Sequence, residues 1–297
     1  MTECITVPSC PIGGSSHRVY FAFSRYGYQL YRCKSCGHLW VHPTPSAREL
    51  EDFYSKGYFQ GDVEKRGYQN YDTDKVSVLP EFDYFLTRLE RATDRRDLLD
   101  IGAATGVFME CAIRRGWRAR GLELSSYAAE AGRAKGLDIA CSALEDMDDG
   151  SVVASVVTLW DVVEHFRDPV GAFRILGRIV PPGGLIMFAT PQSDSFFARV
   201  MGRFWTLLAP PQHLHYFSQA SMLEILRRNG FTIVSTEWRG KSFDLGYIIH
   251  FVMGWLRIRW AWLNRVGHWR IMQRIVLRIN PHDMMIVLAK RSDESPL

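Results

Sequence analysis

Asp97-Leu-Leu-Asp-Ile-Gly-Ala-Ala-Thr-Gly106 decides how the rest of the chain is read. Leu98 to Ile101 is a short apolar run with one acid in it, Gly102 and Gly106 bracket a turn, and Val107 to Arg115 continues at helical spacing until Gly116 stops it. This predicts strand, glycine turn, helix. The unit repeats downstream. Residues 117–123 form a strand, Ser125 caps a helix running through Lys135 with Gly136 beyond it, and residues 137–141 form the next strand. Val152 to Trp160 is an apolar strand, Asp168-Pro169 is an N-cap with proline at the first helical position, and Leu185 to Thr190 follows a Pro-Pro-Gly-Gly turn.

Strands alternating with helices of this length imply an α/β architecture with a doubly wound, mostly parallel sheet. Such a sheet binds its ligand across the carboxyl ends of its strands, where the loops at residues 102–106, 123–125, 143–146 and 161–165 converge. A dinucleotide wants G-x-G-x-x-G, which brings its pyrophosphate to a helix N-terminus; here the spacing is Asp100-x-Gly102-x-x-x-Gly106 with alanine at 104. An NAD-dependent oxidoreductase or epimerase is therefore the weaker reading.

The combination of Leu99-Asp-Ile-Gly-Ala-Ala-Thr-Gly106, Glu123 closing the second strand, Glu145 after the third and Leu159-Trp-Asp-Val-Val-Glu-His165 after the fourth resembles the class I S-adenosylmethionine-dependent methyltransferases over roughly residues 95–240. The resemblance implies a seven-stranded Rossmann-like sheet of order 3-2-1-4-5-7-6, its last strand (residues 284–290) antiparallel beside the fifth. It implies S-adenosylmethionine as cofactor, with Asp100, Gly102, Ala103, Gly106, Glu123, Leu124, Leu144, Glu145 and Asp161 around it. Glu123 is suited to the ribose diol, because one planar carboxylate accepts two hydroxyl hydrogen bonds. Methyl transfer from a sulfonium is an in-line displacement, so a hydroxyl acceptor also needs a proton acceptor; His165, His213 and His215 are the candidates, with Tyr216 beside them. Glu164-His165 also resembles a divalent-ion pair of some quinone O-methyltransferases, although two ligands are too few to infer a metal.

Four of the six cysteines fall in the first 36 residues, while Cys111 and Cys141 sit alone in apolar patterns and read as core. Cys33-Lys-Ser-Cys36-Gly-His is one knuckle of a zinc ribbon, flanked by strand-like Tyr28–Arg32 and Leu39–Val41. The other knuckle, Cys10-Pro-Ile-Gly13, has glycine where the partner sulfur belongs. A structural zinc would be held by Cys10, Cys33 and Cys36 with Cys4, His17, His38 or His42 as the fourth ligand; the alternative is a metal-free hairpin packed on aromatics. This module, with Gly57-Tyr-Phe, Gly67-Tyr-Gln-Asn-Tyr71 and Pro211-Gln-His-Leu-His-Tyr-Phe217, resembles a bacterial methyltransferase subgroup that carries a zinc ribbon and acts on sugars and natural products.

The expected layout is a zinc-ribbon-like module at 1–45, a helical cap at 46–95, the methyltransferase domain at 96–244 with an acceptor-pocket insertion at 192–217, a basic helical segment at 245–280, and the last strand and tail at 281–297. With 47% hydrophobic residues the chain buries a sizeable core, which excludes disordered and stapled-scaffold classes. Six arginines and no acid lie between Leu245 and Asn280, so the rest of the chain is net acidic although the whole carries +4. With Trp255, Trp260, Trp262 and Trp269, that segment fits a peripheral membrane contact or a lid over the acceptor, and it is too apolar to track nucleic-acid phosphates. No apolar stretch reaches the eighteen or so residues of a membrane span, and the start lacks a signal-peptide pattern, so a cytoplasmic protein, peripheral on the inner membrane face at most, is expected. The function expected is methyl transfer to a small-molecule, saccharide or lipid-linked acceptor, most readily at oxygen; a non-catalytic cofactor-binding adapter is the rival.

Overall fold

The computed structural model describes residues 8–46, 49, 79–147, 153–238, 241–244 and 276–293. The readings of Cys4, of Gly57-Tyr-Phe and Gly67-Tyr-Gln-Asn-Tyr71, and of the Arg- and Trp-rich stretch up to residue 275 lie outside these residues.

Three strands come first: β1 (Val19–Arg25), β2 (Tyr28–Cys33) and β3 (Leu39–Val41). Helix α1 (Leu79–Ala92) leads into β4 (Asp97–Ile101), α2 (Val107–Arg114), β5 (Arg118–Glu123), α3 (Ser126–Ala134) and β6 (Ile139–Cys141). Then follow β7 (Val156–Trp160), α4 (Pro169–Ile179), β8 (Leu185–Pro191), α5 (Phe196–Met201), β9 (His215–Tyr216), α6 (Gln219–Arg228) and β10 (Phe231–Trp238). A separate pair, β11 (Lys241–Asp244) with β12 (Val276–Ile279), precedes β13 (Met284–Arg291).

The main sheet runs β10-β13-β8-β7-β4-β5-β6, parallel from β8 to β6, with β13 antiparallel to both β8 and β10. This is the expected 3-2-1-4-5-7-6 order. Successive side chains of a strand point to opposite faces, and the apolar doublets exploit this: Leu98 and Val156 join one core cluster, Leu99 and Val157 the other. α1 lays Phe82, Phe85, Leu86 and Leu89 on the first cluster beside Phe108, Met109 and Trp117. On the second, α4 and α6 bring Phe173, Leu176, Met222 and Ile225.

The helix starts follow their caps. Ser125 accepts the Ala128 amide at 3.4 Å, and Asp168 accepts that of Gly171 at 3.0 Å ahead of Pro169. Three readings change. β6 begins at Ile139 because Gly136 takes a left-handed turn (φ 83°), the strand expected from Val152 begins at Val156 as β7, and Cys141, expected in the core, is exposed because β6 is the edge strand.

The amino-terminal ribbon forms a second sheet, β1-β2-β3-β9. Its fourth strand is not its own: β9 belongs to the 192–217 stretch, and Leu39 pairs with Tyr216 and Trp40 with His215. No helix among the described residues is long and apolar enough to cross a membrane.

Candidate functional site

The carboxyl ends of β4, β5 and β7 build one rim. At its centre Gly102 has φ 71°, and a Cβ there would lie 2.4 Å from Val162 Cγ2, so both backbone and space demand glycine. The turn is pinned to β5 by the Gly102 and Ala103 amides, which donate to the Leu122 carbonyl at 2.8 and 2.9 Å. Gly106, the N-cap of α2, has no side chain to cap that helix, so among the described residues no side chain caps the first amides of α2, the kind of site that suits an anionic group. Ala104 and Asp161 both adopt positive φ (49° and 55°), which places two strained non-glycine residues on the same rim. Spacing identified the glycines but gave no signal for Ala104.

Two acids are buried here. Asp100 accepts the Thr158 hydroxyl at 2.6 Å, and burial raises its pKa to about 7, Glu123's charge adding to the rise and Thr158 opposing it. Glu123, 9% exposed, accepts the Ala104 amide on one oxygen and the Ser125 amide on the other, each at 2.8 Å; burial raises its pKa and the amides oppose the rise. Each oxygen keeps a further lone pair. Among the described residues no cation pairs with either acid. Leu124 beside them is 71% exposed, Leu144 is buried, Glu145 is exposed, and Asp146 accepts the Ala143 amide at 3.2 Å, closing its own loop.

A second group gathers beyond β7. Glu164, His165 and His213 each bring a ligand atom within 4.8 Å of the others. Glu164 is buried and accepts the Thr190 hydroxyl at 2.9 Å. A carbonyl oxygen only accepts, so the 2.6 Å contact of His165 Nδ1 with the Gln212 oxygen and the 2.8 Å contact of His213 Nδ1 with the Leu207 oxygen fix N–H on both Nδ1 atoms. Burial lowers the pKa of His165. His213 joins the Glu164-His165 pair as a third group with a ligand atom in reach.

His215 and Tyr216 are engaged elsewhere. His215 Nδ1 meets His38 Nε2 at 3.0 Å, the two rings stack at 5.2 Å, and burial drives the pKa of His38 well down and that of His215 to about 4. The buried Tyr216 hydroxyl donates to the His213 carbonyl and accepts the Ala209 amide, both at 3.1 Å, and burial pushes its pKa up.

A third cluster lies in the ribbon, where Cys10, His17, Cys33 and Cys36 also bring ligand atoms within 4.8 Å of one another. His17 therefore stands with the three cysteines, while Cys4 lies outside the described residues. Of the other candidates, His38 points to His215, and the His42 ring packs edge-on against Tyr31 at 5.7 Å.

A family model described as "Methyltransferase domain" matches residues 78–236. The ubiquinone biosynthesis O-methyltransferase of Alkalilimnicola ehrlichii is 29% identical over 135 residues, covering 42% of this chain and 54% of the relative. That of Aliivibrio fischeri is 23% identical over 179 residues, 52% of this chain and 76% of the relative. The chain thus spans about half the length of the first relative and three quarters of the second. Among solved structures, magnesium protoporphyrin IX methyltransferase from Synechocystis with bound SAH superimposes with a TM-score of 0.55 at 13% identity, covering 83% of this chain and all of that one. A methyltransferase of Bacillus halodurans gives 0.53 at 12%, covering 71% and 98%. The chain belongs to the methyltransferase-domain family, and its fold is that of the class I S-adenosylmethionine-dependent enzymes.

Proposed function

We propose that this methyltransferase-family chain carries the methyl group of S-adenosylmethionine to a hydroxyl of a small-molecule acceptor. The observation that carries the proposal is the pair of buried carboxylates, Asp100 and Glu123, uncompensated by any described cation, beside the first amides of α2, which no described side chain caps. A ligand with a cationic sulfonium and ammonium, a diol and a carboxylate has a partner for each of these features.

When bound, S-adenosylmethionine supplies an electrophilic methyl group on a good leaving sulfur. The chain's residues do the rest. Glu123 takes the ribose hydroxyls on its remaining lone pairs, Gly102 and Ala103 let the backbone approach, and the first turn of α2 faces the carboxylate. Leu124 and Leu144 flank the adenine, with Glu145 at its edge. Asp161 and Asp100 lie toward the methionine end. On the acceptor side, His213 and His165 carry their lone pairs on Nε2 and are the proton acceptors; Glu164 steadies the imidazolium that results. His215 and Tyr216 position this group rather than touch the acceptor.

The relatives' names support oxygen as the acceptor atom and a small molecule as the acceptor. A lipid-linked acceptor, with peripheral membrane contact through 245–280, is a second reading, favoured by Phe196 (82% exposed) and Val200 (56% exposed) one helical turn apart on α5. Vesicle sedimentation of the parent against Phe196→Ser tests it.

The principal test is calorimetry with S-adenosylhomocysteine and NAD, followed by radiolabelled methyl transfer to phenolic, saccharide and lipid-linked acceptors. Binding of the first nucleoside, and turnover that falls at least about 100-fold in His213→Ala with its affinity intact, is expected. NAD binding instead would overturn the assignment, and a bound nucleoside without turnover on any acceptor would favour the adapter.

A further inference from the structure

We propose that Gly13 and His17 together replace a fourth cysteine and close a Cys3His zinc site, and that the zinc ion is the structural fastener holding β9 and the acceptor-side residues in place.

The two loops of the ribbon are near copies. Gly13 N and Cys36 N donate to Cys10 Sγ and Cys33 Sγ, each at 3.4 Å; Gly14 N and Gly37 N donate to the Cys10 and Cys33 carbonyls at 2.8 and 3.0 Å; and Gly14 and Gly37 have φ 69° and 75°. Gly13 therefore occupies the position of Cys36. A Cβ on it would stand 1.9 Å from His17 Nδ1, inside the imidazole. The missing side chain is the space that the histidine fills, and the departure from Cys-x-x-Cys is a ligand exchange.

The spacings suit zinc. Tetrahedral bonds of about 2.3 Å to sulfur and 2.0 Å to nitrogen put ligand atoms about 3.8 Å (S to S) and 3.5 Å (S to N) apart. Cys10 Sγ lies 3.7 Å from Cys36 Sγ, and Cys33 Sγ lies 3.4 Å from His17 Nδ1. The three cysteines are buried and unbridged, and His17 Nε2 lies 3.9 Å from a Glu224 oxygen, so the ring nitrogen away from the cysteines has a carboxylate on its side, as ligating imidazoles commonly do. Four protein ligands leave no open position, so the ion's role is structural.

What the ion holds can be followed bond by bond. The Cys36 carbonyl accepts the Ser218 hydroxyl, and the Ile12 carbonyl accepts Arg228, which also pairs with Glu224 at 2.6 Å. Beyond Cys36, His38 meets His215, and the Val41 amide donates to the Leu214 carbonyl at 2.9 Å. The Leu214 amide in turn donates to the Glu164 carbonyl at 2.9 Å, with Gln212 and His213 just before it. The residues flanking β9 are thus tied on both sides, Ser218 to the knuckle and Leu214 to the Glu164 group. This last link rests on the proposed function; the metal site does not.

The test begins with the full chain purified in the presence of zinc. Elemental analysis is expected to give one zinc per chain, and X-ray absorption three sulfur ligands and one nitrogen. His17→Cys should retain the metal with four sulfurs, Cys4→Ser should change nothing, and His17→Ala and Gly13→Ala should each weaken zinc binding at least about 100-fold in chelator competition. Cobalt replacement in the parent, which needs no variant, should give tetrahedral thiolate d–d bands. Four sulfurs in the parent, no stoichiometric zinc, or tight binding by Gly13→Ala would each overturn the site. Hydrogen exchange then reads the coupling. On chelation, protection should fall in peptides spanning 38–42 and 212–218 while those spanning 98–106 and 121–125 and the affinity for S-adenosylhomocysteine stay within about threefold, with recovery when zinc returns. Unchanged exchange at 212–218, or equal loss everywhere, would refute the fastening role. Absence of nucleoside binding in the zinc-loaded chain would refute the proposed function and leave the metal result standing.

Discussion

Position 102 has no room for a side chain and only a strained conformation for one. Gly102→Ala pays about 1–2 kcal/mol for its left-handed backbone alone and then meets Val162, so it should lower the urea midpoint and abolish measurable S-adenosylhomocysteine binding. Glu123→Gln keeps the shape, but its NH2 group must face the Ala104 or the Ser125 amide, donor against donor. Nucleoside affinity should fall about 10- to 100-fold by calorimetry, with the fold intact by circular dichroism. Asp100 gives a pH prediction. Its folded pKa is raised from 3.8 to about 7, so the stability it contributes is complete at low pH and is lost as pH climbs through that window. Asp100→Asn should flatten the decline of the ligand-free midpoint between about pH 4 and 7, and a decline as steep as the parent's would contradict the burial argument. These three residues were legible because glycine spacing and an acid at a strand end are local signals. His17 was not singled out, because its evidence is the absence of a side chain at Gly13, visible only when the two loops are compared in space.

At the level of elements, the parallel strands and capped helices could be read from sequence because each carries its own pattern: apolar runs, Ser125, Asp168-Pro169, and glycines just past helix ends. β9 could not. Two residues give no periodicity, and the partner strand lies about 177 positions away, the separation of His38 from His215. Its importance shows instead at the next helix, where the fully buried Ser218 caps α6 by accepting the Ser221 amide at 3.0 Å and also donates to Cys36. Ser218→Ala removes both bonds and strands a buried carbonyl, so it should cost about 2 kcal/mol in urea unfolding, toward the upper end for a lost cap. A loss no larger than a few tenths would mean that water or a neighbour replaces the hydroxyl.

Across the whole molecule, composition suggested a small module ending near residue 45 and attached to a larger domain, yet the apolar packing ignores that boundary. Cys10, Ile12, Tyr31 and Trp40 share a cluster with Phe217, Met222 and the main sheet, and Leu30, Leu39 and Val41 share another with Trp205, Leu208 and Tyr216. Arg25 reaches across to the Leu208 carbonyl at 3.2 Å and the Arg203 carbonyl at 2.5 Å. Tyr216 and Phe217 are both fully buried, and each such side chain contributes about 1.5–3 kcal/mol against the 5–15 kcal/mol that hold a typical domain. Uncovering both, with the apolar partners beside them, removes a large fraction of that margin. The ribbon and the methyltransferase sheet should therefore unfold together, as one calorimetric transition whose van't Hoff and calorimetric enthalpies agree. A chain lacking residues 1–45 should be insoluble or fail to bind nucleoside. Two resolved transitions, or a truncated chain that binds S-adenosylhomocysteine like the parent, would show that the shared core is mere contact between separable units.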